Sequence, residues 1–118
     1  MRERLAGEAR AHVEQLRIPS QWAAGRFDLI VLSEVAYYVE ALDDLIDRVE
    51  ESLDEDGIVV LLHWRRAAPD HSHAAETVHA TFRAMDGLHS LVRHEEDDFL
   101  FDVLGRDARS VALRQGLR

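Results

Sequence analysis

The chain has 118 residues, one domain's worth, and carries 23 acidic against 14 basic residues, all of them Arg, for a net charge of −9. That balance repels phosphate backbones and anionic lipid, so no nucleic acid and no membrane is expected as a partner. The absence of cysteine rules out disulfides, thiolate metal sites and cysteine nucleophiles; no apolar run reaches the length of a membrane span, and a cytoplasmic location is the expectation.

In chain order, residues 2–10 (RERLAGEAR) read as the tail of a helix that began upstream. His12 to Ile18 alternates, with Val13, Leu16 and Ile18 apolar, and stops at Pro19, which predicts a strand. A loop or short turn carrying Trp22 follows and closes at Gly25. Leu29 to Leu32 are four consecutive aliphatic residues, the pattern of a strand covered on both faces. Leu42, Leu45, Ile46, Val49 and Leu53 then keep the i, i+3, i+4, i+7, i+11 spacing of an amphipathic helix with an acidic first turn. Asp54 to Gly57 predicts a turn, and Ile58 to Leu62 a second fully buried strand.

Beyond Arg65-Arg66 and a loop around Pro69, a helix is predicted over 73–85, with Ala74, Val78, Phe82 and Met85 inward and Glu76, His79 and Arg83 towards water. Residues 88–94 and 99–104 read as strands of a hairpin whose turn is the acidic run Glu95 to Asp98. Residues 110–118 read as a last short strand or a frayed tail. This order argues an α/β sheet with an antiparallel edge, in a single domain over 1–118.

Chemistry is concentrated at two places. Ser33 and Glu34 sit at the carboxyl end of the first aliphatic strand, where ligands bind in open α/β sheets, and Tyr37 and Tyr38 follow at once. The competing structural role is a helix start capped by Ser33 or Glu34, with the tyrosines as packing. His63 and Trp64 end the next strand in the same way. Arg65-Arg66 could clamp an anion, but with so many acids nearby a solvated pair is the better reading. A third class of function, a small His-dependent metal protein, would draw on Asp70, His71, His73, Glu76 and His79. Steps of three turn about 300° each on a helix, so His73, Glu76 and His79 drift around it, and no metal site is expected.

The segment Phe27 to Val39 (FDLIVLSEVAYYV), the amphipathic stretch after it and Asp56 to Trp64 (DGIVVLLHW) resemble the second half of a class I S-adenosylmethionine-dependent methyltransferase. Within that superfamily, Ser-Glu-Val-x-Tyr-Tyr and the His-Trp pair are most similar to the nodulation protein S group. The resemblance runs from about Leu5 to Arg106. It implies a Rossmann-like sheet of order 3-2-1-4-5-7-6, here incomplete and lacking its first two strands, with a carboxyl-terminal antiparallel hairpin. The superfamily's glycine-rich turn and the acidic residue ending its second strand are missing, since all six glycines are isolated. The chain thus reads as a member without its amino-terminal cofactor half.

The resemblance further implies methyl transfer from S-adenosylmethionine to a small-molecule acceptor, specifically the free amine of an amino-sugar oligosaccharide. Glu34 or His63 would take the amine's proton. Tyr37, Tyr38 and Trp64 would offer faces to a sugar ring, and Ile18 and Ser33 would lie near the cofactor. Binding of the cofactor by this chain alone is doubtful on the missing motif, and a non-catalytic remnant or subunit is the alternative. Loss of neighbouring strands would leave an edge open to self-association.

Overall fold

In the computed structural model, which describes residues 9–117, the aliphatic run becomes strand β1 (Phe27–Ser33). A single 3-10 turn at Ala36–Tyr38 leads to helix α1 (Leu42–Ser52), and strand β2 (Leu53–Trp64) follows without a gap. Helix α2 (Ala75–Arg83), strands β3 (His89–Glu95) and β4 (Phe99–Gly105), and a short helix α3 (Val111–Arg114) complete the order. The four strands form one mixed sheet, β1-β2-β4-β3. β1 runs parallel to β2, as a strand–helix–strand crossover requires, whereas β4 is antiparallel to both β2 and β3.

The core lies on one face of this sheet. Ile30 and Leu32 of β1, Val59 and Leu61 of β2, and Leu100 and Leu104 of β4 are buried together with Leu45 and Val49 of α1 and Val78 and Phe82 of α2. Alternation along each strand places these residues on a common side. The aliphatic run at 29–32 was expected to be covered on both faces, yet Leu29 and Val31 are each 55% exposed. β2 likewise alternates buried and half-buried residues. Both strands are rich enough in aliphatics for two-sided cover, but both long helices contribute to the same core cluster, so only one set of side chains is sealed.

Four further expectations change. The predicted strand at 12–18 is irregular, and no strand pairs with the outer edge of β1 among the described residues. Its alternation has nothing to pair with, and the chain turns instead at Arg17, whose carbonyl accepts from Gln21 N at 2.8 Å. The following loop is tied to α1: Arg48 donates to the Pro19 carbonyl, and Trp22 Nε1 donates to Ser52 Oγ at 3.1 Å. The predicted turn at 54–57 belongs to β2 as a bulge, since Phe27 pairs with Leu53 and Leu29 with Ile58, so two steps along β1 face five along β2. Gly57 permits this; a Cβ there would lie 2.5 Å from Leu53 Cγ. Helix α2 is shorter than 73–85, and its buried stripe is Ala75, Val78, His79 and Phe82, so His79 faces the core and not water. The tail at 110–118 contains helix α3, capped by Ser110 Oγ accepting from Leu113 N. The helix tail expected at 2–10 lies outside the described residues except for its last two positions, which form a turn.

Candidate functional site

β1 and β2 are parallel neighbours, so Ser33-Glu34 and His63-Trp64 end at the same edge of the sheet. Glu34 is the first residue beyond β1 and takes a left-handed conformation, φ 57°, uncommon for a residue with a side chain. Its own N–H donates to the Leu62 carbonyl at 2.9 Å, which continues the strand pairing by one bond. The left-handed turn directs the carboxylate across to β2, where Oε1 accepts from Trp64 N at 2.6 Å and Oε2 accepts from the Tyr37 hydroxyl. The helix-cap role considered for Ser33 or Glu34 is therefore not the one adopted: Val35 stands at the start of the 3-10 turn, and no side chain caps it.

The aromatics divide. Tyr37 is buried, its ring stacked on His71 at 3.9 Å between centroids and 13° between planes, and edge-on to His63 and Tyr38 at 5.0 Å each. Its ring has no free face for a sugar, and its contribution to an opening is the hydroxyl on Glu34. Tyr38 and Trp64 are 48% and 43% exposed and keep accessible rings. His71, a candidate metal ligand by sequence, instead joins this aromatic cluster, edge-on to Tyr38 at 4.8 Å, with Nδ1 accepting from Ala68 N. The loop that brings it there is fastened by Ser72 N and His73 N, which both donate to the Tyr37 carbonyl.

His63 has a different setting from the one expected. It is fully buried; Nε2 accepts from Ala36 N at 3.1 Å, and Nδ1 lies 2.9 Å from Nε2 of His79. His79 Nδ1 is in turn 2.6 Å from Asp102 Oδ2, which also accepts from Arg83 Nη1 at 2.9 Å. Burial lowers the pKa of His63 to about 4, with His79 acting in the same direction. Burial also pushes His79 down, against the pull of Asp102. Arg83 already neutralises Asp102, so a second cation in this interior has nothing left to balance it. Both rings are neutral at pH 7, and His63 is an element of the core rather than a base facing an open cleft.

Sequence reasoning places His79 towards water and passes over Asp102, although each left a signal. Ala75, Val78, His79 and Phe82 fit i, i+3, i+4, i+7 as well as the stripe chosen one residue earlier. Asp102 alternates with Leu100 and Leu104, so a carboxylate sits on an apolar strand face. The supposed metal ligands disperse: His71 stacks on Tyr37, His73 Nε2 lies 3.0 Å from the Glu40 carbonyl, and His79 is in the core. Among the described residues no group of three or more His, Asp or Glu is placed to hold a metal ion.

Ser33 is exposed at the end of β1, whereas Ile18 is half-buried. Ile18 lines an apolar groove of about 380 Å³ along the outer side of β1 with Leu16, Trp22, Leu29, Val31 and Val35. Such a groove suits a flat apolar group. No glycine-rich turn and no acid for a ribose accompany it, so these residues alone do not fit S-adenosylmethionine, whose polar parts need both.

No protein-family model matches the chain, and no curated protein matches it. Among solved structures, it is similar to a Pseudomonas syringae protein described as a candidate methyltransferase, with a TM-score of 0.72 and 41% sequence identity. The match covers 88% of this chain and 63% of that one, so the chain spans under two thirds of its neighbour's length. The likeness extends to sequence as well as fold and supports a methyltransferase-type chain in general. Among the described residues no helix is long and apolar enough to cross a membrane.

Proposed function

We propose that this chain forms the acceptor-facing part of an S-adenosylmethionine-dependent methyl-transfer fold and that the acceptor is an amine. The observation that supports this reading is the Glu34 carboxylate, fixed by Trp64 N and the Tyr37 hydroxyl at the shared edge of β1 and β2 and followed by the exposed rings of Tyr38 and Trp64. A carboxylate among aromatic side chains attracts an ammonium group by charge and by the ring faces. It also suits the proton step, because an amine must be neutral to act as a nucleophile and a positioned carboxylate accepts its proton. The Pseudomonas syringae neighbour supports methyl transfer in general; the likeness to nodulation protein S suggests an amino-sugar oligosaccharide. The residues present do not complete a site for the cofactor.

Titration of the purified chain with a partly deacetylated chitin oligosaccharide and its fully acetylated counterpart, followed by Trp fluorescence, tests this. Saturable binding of the free amine only is expected; equal binding or none of either would sink the amine assignment. In a parallel calorimetric titration S-adenosylmethionine should bind weakly or not at all, and micromolar binding would show that the chain builds a cofactor site without a glycine turn.

Independently, the edge of β1, which no strand pairs with among the described residues, favours association of two copies of the chain. Sedimentation should show a mass that rises with concentration, and a monodisperse monomer throughout would count against it.

A further inference from the structure

A backbone N–H can only donate, and this fixes the direction of a buried hydrogen-bond chain. The Ala36 amide points at His63 Nε2, so that nitrogen carries the lone pair and the proton sits on Nδ1. His63 Nδ1–H then requires an acceptor, and the atom 2.9 Å away is His79 Nε2. The His79 proton is thereby placed on Nδ1, facing Asp102 Oδ2 at 2.6 Å. Arg83, donating to the same oxygen, keeps Asp102 an acceptor. Reversing any link would set two N–H groups against each other at Ala36. A histidine pair that merely filled space would need no such direction.

The far end of this chain is the turn that bears the candidate site. Ala36 lies between Glu34 and Tyr37, and the Tyr37 ring packs edge-on to His63 at 75° between planes. Arg83 and His79 come from α2, Asp102 from β4 and His63 from β2, so four points on three elements converge on one amide. We infer that Arg83, Asp102, His79 and His63 form a positioning relay, which fixes the His63 tautomer that accepts the Ala36 amide and so holds the turn presenting Glu34 and Tyr37. Its functional meaning rests on the amine-acceptor reading of Glu34; its existence does not.

Nitrogen-15 NMR of histidine-labelled wild-type chain at pH 7.5 should show both His63 and His79 protonated on Nδ1 and bare on Nε2. His79→Leu removes the acceptor for His63. It should shift His63 towards its Nε2–H form and speed Ala36 amide exchange by tenfold or more. His79→Gln keeps an acceptor, Oε1, where Nε2 was, and should restore both signatures together with amine affinity. A wild-type His63 protonated on Nε2 would overturn the proposal, as would a folded His79→Leu chain with unchanged tautomer and exchange. If His79→Leu does not fold, the wild type and His79→Gln decide: Nδ1–H on His63 in both supports the relay, and loss of it in His79→Gln overturns it. Failure of the wild type to bind any amine would overturn the functional reading alone, because tautomer and exchange are read without ligand.

Discussion

In a chain completed with an amino-terminal cofactor-binding half, Glu34→Gln should lower turnover of amine methylation by about 10²-fold, the loss typical of removing a positioned general base. The substitution keeps the two contacts that hold the side chain: the amide oxygen can still accept from Trp64 N, and the amide nitrogen can meet the Tyr37 hydroxyl. Only the charge and the basicity go. Affinity of the isolated chain for an ammonium-bearing oligosaccharide should fall with it, by roughly tenfold or more for the loss of a hydrogen bond to a charged group. Melting temperature should stay close to that of the wild type. Unchanged turnover accompanied by a stability loss of about 1 kcal/mol would mean that the carboxylate serves the turn alone, and the assignment of Glu34 would have to be withdrawn.

Acidification should destabilise the fold steeply between about pH 6.5 and pH 4. His63 titrates near 6.5 when unfolded but is lowered to about 4 in the folded chain. Within that window the unfolded state binds more protons, so stability rises with pH and is lost as pH falls; below about 4 both states are protonated and this loss levels off. For His63 alone the difference amounts to about 3 kcal/mol, and His79, lowered for the same reason, acts in the same direction. The charges around the pair are Arg83 and Glu76 on α2 and Asp102 on β4, and Asp102 is already matched by Arg83 at 2.9 Å. Urea midpoints at pH 7.5, 5.5 and 4.5 measure the effect, and His63→Gln should flatten the curve by the His63 share. A midpoint that stays level from pH 7.5 to 5 would show that the histidines are not held neutral.

Features that depend on local periodicity were legible from the chain. Helix α1 begins at Leu42 as its spacing predicts, buries Leu42, Leu45 and Val49, and carries Asp43 and Asp44 in its first turn. The aliphatic runs are strands, and Ser33-Glu34 falls at the end of one of them. What was not legible depends on which neighbour lies across a gap. Leu29 and Val31 are as apolar as Ile30 and Leu32, and composition cannot tell that only the second pair meets the helices. A stripe drawn through Ala74, Val78, Phe82 and Met85 leaves His79 towards water; it is interior, where Asp102, 23 residues later, supplies an acceptor for its ring. Residues 12–18 show the reverse case, a strand-like alternation that finds no strand to pair with.

The left-handed backbone at Glu34 sets stability and chemistry at odds in one residue. A side chain at that φ costs roughly 1–2 kcal/mol that glycine does not incur. The two hydrogen bonds of the carboxylate offset that cost, so foldedness alone does not decide between glutamate and glycine at position 34. Glycine would relieve the backbone of the turn and remove the carboxylate that holds both Trp64 and Tyr37. Selection for robustness alone would therefore do little to keep the carboxylate at this position, and sorting a variant library by stability would not report its loss.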